Sequence, residues 1–347
     1  MERIVIVSAR VGAGHDGAAR ELARRFRDRG HQVDVFDFLD LLPGRIGRSL
    51  CGFYHQQLEV APRSWDWALS VLGTSVVSTA ARRFATLAAG RLTEILDSRV
   101  TLTISTYPLA THAFAHLKAK KVLSAPLTVY LTDPSVHRLC ISPLADLTVA
   151  PNKISASQAQ RLGARRTVVA SPLVSPEFRP LSSPAERARL RSIFGLPAEE
   201  PLALVVSGSW GIGDVEPTAR DIRASGQATP VVVCGRNETL RARLGAGGYR
   251  HVFGWVDAMP ALMRACDVVV QNAGGLSTSE ALASGLPVLT YRCLPGHGRA
   301  NASVLDADGT VPWIRSPDDL AEGLGWALAV RRKAGVAPER TMIEVAG

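Results

Sequence analysis

Residues 4–26 read IVIVSARVGAGHDGAARELARRF: an apolar, β-branched run, a loop with glycines and a histidine, and a segment rich in Ala, Arg and Leu. This order predicts a strand, a tight turn at Gly12, Gly14 and His15, and then a helix. At such a turn the N–H groups of the helix N-terminus favour an anionic ligand. The side chain of His15 is therefore a candidate for a functional site.

The same strand-then-helix order recurs along the chain, which predicts parallel sheets with helices on both faces. A stretch rich in Pro and Ser at 171–184, SPLVSPEFRPLSSP, interrupts the series and predicts a hinge. We therefore expect an α/β fold of two doubly wound domains, residues 1–170 and 201–347, joined by a linker at 171–200. The candidate strands are Arg3–Ser8, Gln32–Asp37, Val100–Ser105, Leu127–Leu131, Leu147–Ala150, Leu202–Ser207, Pro230–Cys234, Val252–Phe253, Val268–Gln271 and Val288–Thr290, and the candidate helices include Gly17–Asp28, Ala81–Leu96 and Thr278–Ala283.

Composition narrows the class of protein. The chain has 347 residues, of which 46% are apolar and 20% charged, as is typical of a folded protein with more than one core. We expect no signal peptide and no membrane span, because no apolar run reaches the ~18–20 residues that a span needs. The five Cys residues are scattered, which predicts free thiols in a reducing cytoplasm. The net charge of +9 fits an anionic ligand or an anionic membrane surface. The sequence has no nucleic-acid-binding motif, and we expect no nucleic-acid partner.

Two further glycine-containing loops follow predicted strands in the second half of the chain. The first, VVSGSWGIGD at 205–214, carries Gly208, Gly211 and Gly213. The second, QNAGGLSTSEALASGLPVL at 271–289, is the strongest phosphate-binding signal of the chain. Its Gly274–Gly275 pair predicts a tight turn that brings backbone N–H groups close to a ligand.

The helix after this turn carries the other candidate donor-site groups. Ser277 and Thr278 are predicted to cap it, and the N–H groups of Gly275, Leu276 and Ser277 suit a diphosphate. Glu280, expected in the first turn, can accept hydrogen bonds from two ribose hydroxyls. The alternative is that Glu280 only caps the helix or interacts with its dipole.

Residues 44–80 form an insertion in the strand–helix series. Phe53, Tyr54, Trp65 and Trp67 lie there among several Arg residues. Basic and aromatic residues together suit a membrane interface or a groove for an amphiphile. A buried helical hairpin is the alternative interpretation.

Six segments in this order resemble a known group of enzymes. They are SARVGAGH (8–15), YHQQLEVAPRSWDWAL (54–69), YLTDPSVHRLC (130–140), VVCGRNETLRARL (232–244), the stretch from Phe253 to Leu289, and PGHGRAN (295–301). Together they are similar to GT-B glycosyltransferases of the monogalactosyldiacylglycerol synthase, processive diacylglycerol glucosyltransferase and MurG-like kind. The resemblance implies two Rossmann-like domains facing a central cleft. It also implies an inverting transfer of a hexose from a nucleotide sugar, probably UDP-linked, to a lipid hydroxyl such as that of diacylglycerol. It further implies an enzyme in the cytoplasm, peripheral on the inner face of the membrane.

The resemblance also implies roles for particular residues. His15 or Asp133 would be the general base, and no metal or other cofactor would be required. The acceptor side would include Gly14, Tyr54, Trp65 and His137. The donor side would include Gly208, Gly211, Gly213, Phe253, Gly274, Gly275, Leu276, Ser277, Thr278, Glu280, His297 and Asn301. Structural roles remain the alternatives, a helix cap for His15 and a purely structural side chain for His137.

Three positions depart from the pattern of this group. The loop expected to face the sugar is PGHGRAN, with His297 and Gly298 where the group has Gln and an acid. Trp210 stands where smaller residues are common, and Asn272 stands where a Lys often precedes the glycines. Transfer to a soluble small molecule, a UDP-N-acetylglucosamine 2-epimerase activity and a non-catalytic sugar-nucleotide-binding protein are therefore the alternative functions.

Overall fold

The computed structural model describes residues 2–10, 13–44, 46–47 and 75–334. Most of the insertion at 44–80, including Tyr54 and Trp65, lies outside these residues, as does Gly12. The chain divides into two compact units, Met1–Leu173 with Pro295–His297, and Val174–Leu294 with Gly298–Gly347. The described part of each unit contains one six-stranded sheet in which the paired strands are parallel. The predicted α/β fold of two doubly wound sheets is therefore confirmed.

The first unit has the strand order β2-β1-β3-β4-β5-β6. The order reverses between β1 and β3, and ligands of doubly wound sheets bind beside such a switch point at the carboxyl ends of the strands. The strands are β1 (Arg3–Ser8), β2 (Gln32–Asp37), β3 (Val100–Ser105), β4 (Leu127–Tyr130), β5 (Leu147–Ala150) and β6 (Thr167–Val169). The described helices are α1 (Ala13–Arg27), α2 (Phe38–Leu41), α3 (Ser75–Ala85), α4 (Ala89–Ile95), α5 (Pro108–Ala119) and α6 (Lys153–Arg161).

The second unit has the strand order β12-β11-β10-β7-β8-β9, with its switch point between β7 and β10. The strands are β7 (Leu202–Val206), β8 (Thr229–Val233), β9 (Val252–Phe253), β10 (Val268–Gln271), β11 (Val288–Tyr291) and β12 (Trp313–Ile314). The helices are α7 (Pro184–Ile193), α8 (Val215–Ser225), α9 (Glu238–Ala246), α10 (Met259–Ala265), α11 (Leu276–Ala283), α12 (His297–Ala307) and α13 (Pro317–Ala334).

Each sheet separates two hydrophobic cores, which explains why its central strands are apolar throughout. On β1, Ile4 and Ile6 pack into one core while Val5 and Val7 pack into the other. The side chains of Leu202–Val206 on β7 alternate in the same way. Successive side chains of a strand point to opposite faces, so a strand covered by helices on both faces needs apolar residues at every position.

Three details differ from the sequence-based expectations. The short edge strands β6 and β12 were not predicted, because two or three residues at a sheet edge carry little periodic signal. The predicted helix Ala81–Leu96 is divided into α3 and α4 by a 3-10 turn at Thr86–Ala88. The predicted linker 171–200 contains α7, which is capped by Ser183 and buries Leu190 in a core of the second unit.

None of the helices in the described ranges is long and apolar enough to cross a membrane.

Candidate functional site

The strongest predicted loop lies at the switch point of the second unit, directly after β10. Helix α11 begins at Leu276 with Gly275 as its N-cap, and no described side chain caps it. The prediction that Ser277 and Thr278 cap this helix is therefore wrong, because both lie inside its first turn. The first N–H groups of a helix have no intrahelical partner and carry its positive dipole end. The backbone here is therefore suited to an anion, as expected.

Buried side chains behind the turn determine its shape. The Gln271 Oε1 atom accepts hydrogen bonds from the N–H groups of Ala273 (2.7 Å) and Gly274 (2.5 Å). Gly274 has φ +73°, and a Cβ atom there would lie 2.8 Å from the Cβ atom of Asn301. The turn therefore requires glycine both for its backbone conformation and for its packing.

Asn301 supports this turn from the protein side. It is fully buried, and its Nδ2 atom donates to the carbonyl oxygen of Ala273 at 2.9 Å. We expected Asn301 to face the sugar hydroxyls, and the structure corrects this assignment. The amide holds the backbone of the turn in place.

The loop after β7 lies on the other side of the same switch point. Gly208, Gly211 and Gly213 all have positive φ angles. A Cβ atom at Gly211 would lie 2.3 Å from the carbonyl oxygen of Cys234, and one at Gly213 would lie 2.7 Å from the Nδ2 atom of Asn272. Only Gly208, of these three, has no described atom within 4 Å of a Cβ position. Gly211 and Gly213 therefore permit close packing between loops, and Gly208 is the glycine that a ligand can approach.

Asn272 connects the two loops. Its Nδ2 atom donates to the carbonyl oxygen of Ile212 at 2.8 Å. Because a carbonyl oxygen can only accept, this contact fixes which end of the amide is nitrogen. The chain thus uses a neutral amide to join two loops at the position where its resemblance group often has a lysine.

Three buried polar atoms at this switch point have no hydrogen-bond partner among the described residues. They are Ser207 Oγ, Asn272 Oδ1 and Thr278 Oγ1. Buried polar atoms are costly to leave without a partner and usually indicate water or a ligand. Their position at the end of β7, the end of β10 and the first turn of α11 therefore fits a site for a polar ligand.

Glu280 lies in α11 and is half-buried. The first turn of the helix contains no acidic residue, so the carboxylate is one turn further along than we expected. The backbone carbonyl of Glu280 accepts hydrogen bonds from both the N–H and the hydroxyl group of Ser284. The helix is therefore continuous through Glu280, which holds the start of its side chain in a defined direction.

An aromatic cluster that the sequence analysis did not identify lies on the loops after β7, β8 and β9. The guanidinium carbon of Arg236 lies 4.7 Å from the ring centroid of Trp255 and 5.6 Å from that of Trp210. Trp255 is 48% exposed. Phe253, which we expected to line a base pocket, instead packs edge-on against Phe194 at the border of a core. The planar surface available to a base is therefore that of Trp255, two residues later.

In the first unit, His15 lies at the N-terminal end of α1, beside the switch point between β1 and β3. Its Nδ1 atom is 2.7 Å from the carbonyl oxygen of Thr106 and 3.0 Å from the hydroxyl of Thr132. Because the carbonyl can only accept, Nδ1 carries the proton, and in the neutral ring Nε2 has the lone pair. The Tyr107 ring packs edge-on against the imidazole, with centroids 5.3 Å apart. The fold therefore orients His15 as a histidine that can accept a proton at Nε2.

The other predicted residues of the first unit are placed as follows. Asp133 is half-buried and directly follows Thr132, the residue whose hydroxyl contacts His15. His137 is exposed and precedes a 3-10 turn at Arg138–Cys140. Gly14 lies in the first turn of α1, beside His15. The structure thus brings Gly14, His15 and the strand end that carries Asp133 together, and Tyr54 and Trp65 lie outside the described residues.

His297 is the first residue of α12 and is half-buried. A separate cavity of about 470 Å³, lined among others by Arg223, Tyr249 and His251, lies at the amino ends of β7 and β8. Ligands of doubly wound sheets bind at the carboxyl ends, so this cavity is not the candidate site.

Comparisons with known proteins agree with this geometry. A model of the family described as "Glycosyl transferases group 1" matches residues 214–329. A processive diacylglycerol beta-glucosyltransferase of Bacillus mycoides is 25% identical over 92% of this chain and 83% of its own length. Monogalactosyldiacylglycerol synthase 1 of Arabidopsis thaliana is 25% identical over 92% of this chain and 64% of its own length. The crystal structure of MurG from Acinetobacter baumannii superposes with a TM-score of 0.53, at 14% identity, over 96% of each chain.

The fold and these matches define a glycosyltransferase of the GT-B class. The resemblance to the processive diacylglycerol glucosyltransferases, the monogalactosyldiacylglycerol synthases and MurG, which rested on six sequence segments, is thereby confirmed.

Proposed function

We propose that the chain transfers a hexose from a UDP-sugar to a hydroxyl group of a lipid acceptor such as diacylglycerol, with inversion at the anomeric carbon. The observation that carries this proposal is the combination of an anion-binding turn at the switch point of the second unit and an oriented histidine at the switch point of the first. The names of the relatives in the curated comparison support the lipid acceptor.

The second unit would bind the donor. The N–H groups of Gly275, Leu276 and Ser277 would hold the diphosphate, and Gly208 would approach it from the loop after β7. Glu280 would accept hydrogen bonds from the ribose hydroxyls, and Trp255 would stack on the base. These groups line the carboxyl edge from β10 to β9, where neighbouring strands are about 4.8 Å apart, so the edge is long enough for an extended nucleotide.

The chemical step would be a direct displacement. The oxygen of the acceptor hydroxyl forms a bond to the anomeric carbon while the bond from that carbon to the β-phosphate oxygen breaks. The acceptor proton passes to Nε2 of His15, and the electron pair of the broken bond stays on the leaving UDP. Asp133 is the second candidate for the base. Backbone N–H groups at the start of α11 would stabilise the negative charge that develops on the diphosphate.

The acceptor is proposed to be reached at an anionic membrane surface. The net charge of +9 favours such a surface, and the basic, aromatic composition of residues 44–80 suits its interface. A soluble small-molecule acceptor is the second candidate, favoured by the change to His297 and Gly298 in a loop predicted to face the sugar.

We expect turnover to be unchanged by a metal chelator, because helix and loop N–H groups would stabilise the leaving diphosphate without a metal ion. The measurement is UDP release after treatment with EDTA, with added Mg²⁺ or Mn²⁺ as the comparison. Activity that is lost with EDTA and restored by either metal would contradict this expectation.

Trp255→Ala is expected to weaken UDP binding by about 1 kcal/mol, or about fivefold in Kd, because a stacked ring is lost. Titration calorimetry with UDP measures the change. Trp326→Ala is the matched control, since Trp326 on α13 has nearly the same exposure, 50% against 48%. Equal affinities of the Trp255 and Trp326 variants would show that the base does not stack on Trp255.

The donor half of the proposal is tested by equilibrium binding of UDP, dTDP and GDP to the whole chain. We expect UDP to bind most tightly. Binding of GDP or dTDP in preference to UDP would contradict a UDP-sugar donor, and the absence of binding by all three would contradict the donor site itself.

A further inference from the structure

Arg292 has a backbone conformation that side chains rarely adopt. Its φ angle is +48°, and Lys121 is the other non-glycine residue with a positive φ in the described ranges. Arg292 directly follows β11 and begins the segment 292–297, which leads into α12 and carries the sequence LPGH. A residue of this kind persists in a left-handed conformation only where its surroundings hold it, and such positions concentrate at functional sites.

A carboxylate on α8 provides the restraint. The Asp221 Oδ2 atom accepts hydrogen bonds from Arg292 Nε (2.9 Å), Arg292 Nη2 (2.7 Å) and the Tyr291 hydroxyl (2.9 Å). The side chain of Asp221 is only 10% exposed. Burial and the bond to Asp221 raise the pKa of Tyr291 to about 12, so its hydroxyl remains a donor. A forked guanidinium paired with a mostly buried carboxylate fixes direction as well as distance.

The segment is also joined to the switch-point loops. The N–H group of Leu294 donates to the carbonyl oxygen of Asn272 at 2.7 Å. A Cβ atom at Gly298 would lie 2.9 Å from the same oxygen, so the start of α12 packs tightly against it. Arg292 Nη1 lies 3.6 Å from Asp214, the residue that follows the loop after β7. Segment 292–297 therefore has its position set by α8 on one side and by Asn272 on the other.

The position of β11 indicates which part of the donor this segment meets. The sheet order places β11 next to β10, on the side opposite to β7, β8 and β9. With the diphosphate at the turn after β10 and the base near Trp255 after β9, the sugar extends toward the end of β11. That end is where segment 292–297 begins.

We propose that Asp221 and Arg292 are positioning residues that hold segment 292–297 in the one conformation that selects the sugar of the nucleotide-sugar donor. The proposal rests on the donor site described under the proposed function. Neither side chain touches the diphosphate turn, which Gln271 and Asn301 shape independently of Asp221. The pair therefore acts on affinity for the sugar and not on affinity for UDP.

The test compares the Kd values of UDP, UDP-glucose and UDP-galactose for the wild type, Asp221→Asn and Arg292→Ala. In both variants we expect the Kd of the preferred UDP-sugar to rise about tenfold, the factor that 1.4 kcal/mol produces, and the preference between the two epimers to fall. The Kd of UDP should not change. Arg220→Ala is the matched control, because the exposed Arg220 approaches the other oxygen of Asp221 at 3.6 Å. This control should bind all three ligands like the wild type.

Arg292→Gly separates positioning from folding. It removes the side chain but permits the positive φ angle, so the variant should fold even where Arg292→Ala does not. We expect it to lose the epimer preference as Arg292→Ala does. An unchanged preference in Arg292→Gly and Asp221→Asn would overturn the inference, as would an equal loss of affinity for UDP and the UDP-sugars. Failure of the wild type to bind UDP would instead overturn the proposed function, and this inference with it.

Discussion

Replacement of His15 by alanine is expected to lower kcat by about 10²-fold or more, the usual scale for a lost general base, while UDP binding is retained. The structure gives the reason: the Thr106 carbonyl holds the Nδ1 proton and leaves Nε2 to accept another. Because His15 lies in the first unit and the donor groups lie in the second, the substitution removes no donor contact. Single-turnover rates measure the chemical step, and UDP calorimetry measures the retained binding.

His15→Asn sharpens this test. The side-chain amide of asparagine can donate to the Thr106 carbonyl as Nδ1 does, but it offers no basic nitrogen in place of Nε2. We therefore expect His15→Asn to be as slow as His15→Ala although its contacts to the β3 end are better preserved. His31→Ala is the control, since His31 precedes β2 at the amino end of the sheet. Turnover of His15→Ala at the wild-type rate would leave Asp133 as the remaining candidate base.

Glu280→Ala is expected to weaken UDP binding by about 1.5–3 kcal/mol, the range for loss of a hydrogen bond to a charged group. The corresponding factor in Kd is about 10–150. The half-buried carboxylate lies one turn beyond the N-terminus of α11, where it can meet the ribose of a nucleotide whose diphosphate binds at Gly275–Ser277. Titration calorimetry with UDP, and with 2′-deoxy-UDP as a ligand lacking one hydroxyl, measures the loss.

The deoxynucleotide distinguishes a ribose contact from a structural role. If Glu280 binds the ribose, the wild type should prefer UDP over 2′-deoxy-UDP and Glu280→Ala should lose that preference. Glu238→Ala is the control, an exposed glutamate in the first turn of α9. Unaltered UDP affinity in Glu280→Ala would place the nucleotide elsewhere.

Much of the fold follows from local sequence patterns. Strands β1, β2, β3, β5, β9 and β10 have the predicted bounds, because parallel strands buried on both faces are continuous apolar runs with clear ends. Strand β12 was not predicted, since Trp313–Ile314 is too short to show a period. The linker was predicted too long, because the hydrophobic residues of α7 and its Ser183 cap were outweighed by the nearby prolines.

The candidate site was only partly predictable. Glycine spacing identified the turns before α1 and α11, but it could not separate glycines that face a ligand from glycines that pack between loops, such as Gly211 and Gly213. The burial of Asn301 and the Arg236–Trp255 contact depend on residues distant in sequence. The left-handed Arg292 has no sequence signal, since its conformation is imposed by Asp221 on another element.

The central claim is tested most directly by nucleoside diphosphate release from a panel of UDP- and dTDP-sugars, with and without anionic vesicles that contain diacylglycerol. The account predicts release from one UDP-sugar that depends on those vesicles and falls by about 10²-fold or more in His15→Ala. Donor-specific release that is indifferent to the vesicles would contradict the lipid acceptor and direct the search to soluble molecules. The absence of release from every donor, with vesicles present, would contradict the proposed transferase activity itself.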